Sequence, residues 1–289
     1  MLGLVQGLTE FLPISSTAHL RIVPALLGWK DPGAAYSAVI QLGTVAAVLV
    51  YFAKDIGKLL MAFFEGLKAR APFATVESRL AWCVGLGTLP IGVCGLAFKK
   101  SIETSFRSLY VIAISLMVLA VVLAVVERVA AHQRRIEDIT IKDGLIIGVW
   151  QAVALIPGSS RSGTTLTGAL SLGFKREDAA RFSFLLSIPA TTLAGVSELY
   201  GLIKGKHHAQ VDQALTAIAE SPVGDALGYS HPSTMALVVG TVVSFVAGWL
   251  AIAGLLRLLR TRSTMPFVIY RLVLGALLLV LLQRGVLQP

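Results

Sequence analysis

Charged residues are scarce in this chain. They make up 14% of its 289 residues, against about 25% in soluble domains. Hydrophobic residues reach 55%, and the mean hydropathy is +0.78. That shortage of charge excludes a soluble globular enzyme, a nucleic-acid-binding module and a disordered chain. Cysteine is scarce too. Cys83 and Cys94 fall in one apolar segment and read as small core residues, not as a disulfide framework or a metal pair. Acidic residues are outnumbered by basic ones, 16 to 25, leaving a net charge of +9. In a membrane protein such an excess belongs to cytoplasmic loops. With so few polar residues it is not a nucleic-acid footprint, and no nucleic acid is expected as a partner.

Long apolar segments are what the chain does have. A membrane-spanning helix needs about 20 mostly apolar residues. Six segments qualify: Ala34–Ala53, Leu80–Phe98, Leu109–Val126, Phe182–Ile203, Ser233–Leu256 and Pro266–Leu282. Two further apolar stretches are interrupted. Leu2–Leu27 breaks at Pro13-Ile-Ser-Ser-Thr, and Gly144–Leu172 breaks at Pro157-Gly-Ser-Ser-Arg-Ser-Gly-Thr-Thr. Proline ends the first half-helix of each, because it lacks a backbone donor. The serines and threonines that follow are N-cap chemistry for the second half. Half-helices of about ten residues are too short to cross alone, so both stretches read as re-entrant hairpins; a kinked spanning helix is the alternative.

The two breaks match each other. Pro13-Ile-Ser-Ser corresponds to Pro157-Gly-Ser-Ser, and Gly3-Leu-Val-Gln6 to Gly148-Val-Trp-Gln151 with a shift of one residue. The chain then divides into residues 1–135 and 136–289, each a hairpin followed by three spans. Three is odd, so the second half inserts upside down. The expected fold is an all-α polytopic membrane protein: six transmembrane helices plus two re-entrant helical hairpins in an inverted-topology repeat, forming one membrane domain. Charge sets the orientation. Fifteen of the 25 basic residues fall in loops opposite the N-terminus, which makes that side cytoplasmic. Both termini, the first hairpin's opening and the loop Gly205–Pro232 then lie outside.

Chemistry concentrates at the breaks. Gln6 and Glu10 are four residues apart and share a helix face. Ser15, Ser16 and Thr17 follow, and His19 lies three residues after Ser16. Ionisable groups inside membrane segments are functional candidates by default. The plainer reading puts Glu10 at the interface and His19 at a helix end. The second break carries Ser159, Ser160, Arg161, Ser162, Thr164 and Thr165. Hydroxyls, a guanidinium fork and free helix N-terminal amides favour an anion such as phosphate. The plainer reading there is a packing turn with Arg161 paired to a carboxylate. Two converging half-helix N-termini suit phosphoryl transfer, which is mostly positioning and charge stabilisation, and a lipid is the carrier that brings phosphate so deep. A lipid-phosphate transporter or flippase using the same anion site is the alternative function.

These residues resemble a known family, the undecaprenyl-diphosphate phosphatases or bacitracin-resistance proteins. The first motif is Gln6 and Glu10 continued by Phe-Leu-Pro-Ile-Ser-Ser-Thr and His19. The second is Pro157-Gly-Ser-Ser-Arg161-Ser-Gly-Thr-Thr165. Phe182-Ser-Phe-Leu-Leu and Ile269-Tyr270-Arg271 also look like the family. The resemblance implies a bacterial inner-membrane hydrolase, open to the outer face, that converts undecaprenyl diphosphate to the monophosphate for peptidoglycan synthesis. It implies Glu10 as the essential carboxylate and metal ligand, Ser16 as candidate nucleophile, His19 as acid/base partner and Arg161 as the diphosphate clamp. Gln6, Ser15, Thr17, Ser160, Ser162 and Thr165 would bind substrate, and the cofactor would be a divalent cation, Mg²⁺ or Ca²⁺. Gln6 stands where many relatives carry glutamate, which leaves Glu10 the one carboxylate of the motif. The expected partners are the polyprenyl diphosphate and membrane lipids, with a homodimer left open.

Overall fold

The structure is a computed structural model, and it describes residues 1–29, 33–98, 108–203 and 234–287. The loop Gly205–Pro232, with His207, His208 and His231, lies outside the described residues. Among these residues the chain is helical throughout. The first stretch divides into α1 (Leu2–Phe11) and α2 (Ser16–Leu27). Then come α3 (Gly33–Tyr51), α4 (Ala53–Lys68), α5 (Val76–Ala97) and α6 (Leu109–Val129). After a short 3₁₀ turn at Ile136–Asp138, the second interrupted stretch gives α7 (Ile141–Val153) and α8 (Arg161–Ser171). The chain continues with α9 (Arg176–Ile203), α10 (Thr234–Leu259) and α11 (Met265–Gln283).

Five helices, α5, α6, α9, α10 and α11, are long and apolar enough to cross a bilayer. α3 joins them as a sixth span only together with α4, which it meets at 67° across Phe52. Large apolar side chains on these helices, among them Leu96, Val121, Val242 and Val273, are more than half exposed. Such a surface is that of a multi-pass membrane protein facing lipid. Both stretches are interrupted as expected, but each first half-helix ends before its proline, at Phe11 and at Val153, and the second halves start at Ser16 and Arg161.

Lys54, Lys58 and Lys68 sit on α4, not in a loop as the apolar-run reading had it. The helix was missed because its charges keep it below any spanning threshold. Helical spacing puts Lys54, Lys58, Glu65 and Lys68 on one face. Ile56, Leu59 and Phe63 pack inward, and Leu60, Phe64 and Leu67 are left exposed. That is the pattern of a helix lying in the membrane interface.

α1 packs on α10 and α7 on α5, in corresponding fashion. Each contact is glycine against glycine. A Cβ on Gly3 would run into the carbonyl of Gly240, and one on Gly148 into the carbonyl of Gly87. Small residues let backbones close up where lipid supplies no hydrophobic drive. Phe11, Phe52 and Phe184 stack beneath the first break, with Phe11 and Phe184 edge-to-face at 5.6 Å. Among the described residues, four ion pairs link helix ends and the turns beside them: Arg134–Asp143, Arg176–Glu127, Arg181–Asp55 and Arg260–Glu177. Cys83 and Cys94 are free thiols.

Candidate active site

The site is built on two serine caps. Ser15 precedes α2 at φ 73°, ψ 99°, and its side chain accepts from the Ala18 amide. Ser160 precedes α8 at φ 67°, ψ 115°, and accepts from the Gly163 amide. Both are non-glycine residues held in the left-handed half of φ space, strain that surrounding structure must hold in place. The two caps share one geometry and suggest a second register for the repeat. The sequence aligned Pro13 with Pro157; the caps instead pair Ser15 with Ser160, the same spacing that relates Gly3 to Gly148 and Gln6 to Gln151. One register now covers the whole hairpin, and Ser16 lies opposite Arg161.

Across the two breaks the side chains meet. Arg161 donates to Glu10 Oε1 at 2.6 Å, 151 residues away in sequence. Glu10 Oε2 accepts from Ser16 Oγ at 2.6 Å and from Gln6 Nε2 at 3.0 Å. The side chains of Glu10 and Arg161 are 10% and 16% exposed, so the pair is largely desolvated yet open on one side. The carboxylate that the plainer reading wanted for Arg161 is therefore the first motif's own. Ser162 Oγ reaches the Leu12 carbonyl at 3.0 Å and lies 3.1 Å from Ser160 Oγ, tying one break to the other.

Other expected residues stand apart. Thr17 is exposed, so its side chain does not join the cluster. Thr165 is fully buried and hydrogen-bonds Ser183 of α9 and the Arg161 carbonyl. His19 touches neither Glu10 nor Ser16 by any described hydrogen bond. Its Nδ1 bonds the Ser15 carbonyl at 2.7 Å and its Nε2 bonds Tyr270 Oη at 2.6 Å. The first amides of each second half-helix, Ser16 and Thr17 in α2 and Arg161 and Ser162 in α8, have no acceptor within their helix and remain available to an anion.

Sequence reading passed over the hydrogen bonding of two neighbours on α11. Tyr270 bonds His19. Arg271 is wholly buried and donates to the carbonyls of Leu116, Pro13, Gly158 and Ser159 at 3.1–3.4 Å. Glu198, the other charge within an apolar span, has a side chain that lies outside the described residues. Only the charge in an apolar span hinted at Arg271; its acceptors are backbone atoms more than 100 residues away and leave no pattern.

The donor set also bears on a cation. Among the described residues no group of three His, Cys, Asp or Glu side chains gathers as metal ligands. Glu10 is the carboxylate present. A divalent cation can rest on one or two carboxylates when substrate phosphates complete its shell, and that mode fits this site.

These features define a class: a multi-pass membrane protein with a desolvated acid–arginine pair and two helix N-termini between broken helices, the makings of a buried phosphate site. The chain belongs to the family described as Bacitracin resistance protein BacA, whose profile matches residues 1–277. It is similar to an Undecaprenyl-diphosphatase of Myxococcus xanthus, 64% identical over 289 residues, spanning 100% of this chain and 90% of the relative. Proteins of the same name from Chloroherpeton thalassium and Thermobifida fusca are 50% and 45% identical, each covering 100% of this chain and 97% and 91% of the relative.

Proposed function

We propose that this protein hydrolyses undecaprenyl diphosphate to undecaprenyl phosphate and inorganic phosphate, recycling the lipid carrier for peptidoglycan synthesis and conferring resistance to bacitracin. The observation that carries the reading is the Ser16 hydroxyl donating to Glu10 Oε2 while Arg161 holds Oε1. A hydroxyl bonded to a positioned carboxylate is an activated nucleophile.

In the first half-reaction Ser16 Oγ attacks the terminal phosphorus as its proton passes to Glu10 Oε2. The bond from that phosphorus to the bridging oxygen breaks. Undecaprenyl phosphate leaves with the electron pair and takes the proton from Glu10. In the second half-reaction Glu10 accepts a proton from water, the water oxygen attacks the phosphoserine, and the bond to Ser16 Oγ breaks. The proton returns from Glu10 to Ser16, and inorganic phosphate is released. Arg161 and the amides at the start of α2 and α8 hold the phosphoryl oxygens, whose charge they offset in a dry site. Ser160 and Ser162 keep the two breaks in register, and Gln6 holds the Glu10 carboxylate. A divalent cation, Mg²⁺ or Ca²⁺, held by Glu10 and the diphosphate, would offset further charge.

The matched caps and glycine contacts support residues 1–135 and 136–289 as inverted repeats. Membership of the family supports a bacterial inner-membrane location, and the skew of basic residues supports both termini and the site opening to the outer face. Purified protein in detergent tests the reading. It releases phosphate from undecaprenyl diphosphate, and a chelator lowers the rate. Absence of release refutes the hydrolase, and release unchanged by chelator refutes the cation.

A further inference from the structure

His19 is buried, and both of its ring nitrogens are engaged. A carbonyl can only accept, so the bond from Nδ1 to the Ser15 oxygen places a hydrogen on Nδ1. In the neutral ring Nε2 is then an acceptor, and Tyr270 Oη donates to it. The two rings lie near parallel, 9° apart in plane, with centroids at 5.6 Å. The Ser15 carbonyl belongs to the strained cap, and the residue it leads into is Ser16. On the other side, Tyr270 is followed by Arg271, whose guanidinium grips the carbonyls of Pro13, Gly158 and Ser159. One turn of α11 is thus fastened to both breaks.

Resting on the hydrolase reading above, we propose that Tyr270 is a positioning residue of this site. Its hydroxyl fixes His19, His19 fixes the Ser15 carbonyl, and the strained cap so held presents Ser16 Oγ to Glu10. His19 acts in this chain as a strut and not as the group that accepts the Ser16 proton, since that proton already points at Glu10 at 2.6 Å. The chain runs from a half-exposed tyrosine on the last helix to the nucleophile on the first break.

Steady-state phosphate release by the full-length protein tests this. Removing one hydroxyl by Tyr270→Phe lowers kcat about tenfold and leaves KM within about twofold, because a displaced nucleophile affects the chemical step more than binding. His19→Asn keeps a side-chain N–H for the Ser15 carbonyl and retains at least about tenfold more activity than His19→Ala, which leaves that carbonyl only the backbone amide of residue 19; an imidazole that moved protons would be lost equally in both. In the His19→Ala background Tyr270→Phe adds less than about a twofold loss, as expected of two residues acting in one chain. Wild-type kcat in Tyr270→Phe overturns the proposal. So does multiplication of the two losses in the double variant, or equal inactivity of His19→Asn and His19→Ala. A wild-type protein that releases no phosphate overturns the hydrolase reading itself, and this proposal with it.

Discussion

Glu10 and Arg161 are a charge pair in a place where charge is expensive. Breaking a buried pair leaves the survivor uncompensated, at a cost of about 3–5 kcal/mol, whereas replacing both partners removes that cost. Arg161→Met is therefore expected to lower the thermal unfolding midpoint in detergent and abolish phosphate release. Glu10→Gln joined to Arg161→Met is expected to recover much of the midpoint and none of the activity. Recovery of activity in the double variant would show the pair to be scaffold alone. Much of this cluster was legible in advance: Gln6 and Glu10 share a face by spacing, and Ser16 follows a break that proline announces. Tyr270 and Arg271 were not legible as parts of it. Their partners are Ser15 through His19 and four backbone carbonyls on other elements, and no local pattern encodes an acceptor brought in by tertiary packing.

Among the elements, the half-helices matter most, because they place backbone amides at the breaks. Their positions are set by glycine contacts with spanning helices, α1 on α10 and α7 on α5. Gly148→Val puts a branched side chain against the Gly87 carbonyl; overpacking of this kind costs about 1–3 kcal/mol. It is expected to lower the unfolding midpoint and to reduce activity by shifting Arg161. A midpoint equal to wild type would show that α7 and α5 have slack between them. The caps act on the same elements. Ser160→Ala removes the side-chain acceptor for Gly163 at a cost of about 1 kcal/mol, and the resulting fall in stability can be read from the same melts. Both half-helices could be placed from proline and hydroxyl residues alone. α4 could not be found by seeking spanning runs, because its one apolar run, residues 59–64, is six residues long and flanked by charges.

On the proposed repeat, the whole molecule is a near-symmetric scaffold carrying asymmetric chemistry. In the register of the two caps Gln6 matches Gln151, but Glu10 matches Leu155 and Ser16 matches Arg161. On the proposed mechanism one break supplies Glu10 and Ser16 and the other supplies Arg161, and neither is a site by itself. The skew of basic residues predicts how this scaffold is oriented. Cysteines placed at positions 30 and 207 are expected to react with an impermeant maleimide from outside intact cells; labelling only after the inner face is opened would invert the topology. The most direct measurement is phosphate release from undecaprenyl diphosphate by purified wild-type, Ser16→Ala, Glu10→Gln and Arg161→Lys proteins that melt like folded membrane proteins. Wild type is expected to turn over, and each variant to lose at least about a hundredfold in kcat/KM, as removal of a nucleophile, base or bidentate clamp does. Turnover by these variants at the wild-type rate would place the chemistry elsewhere in the molecule.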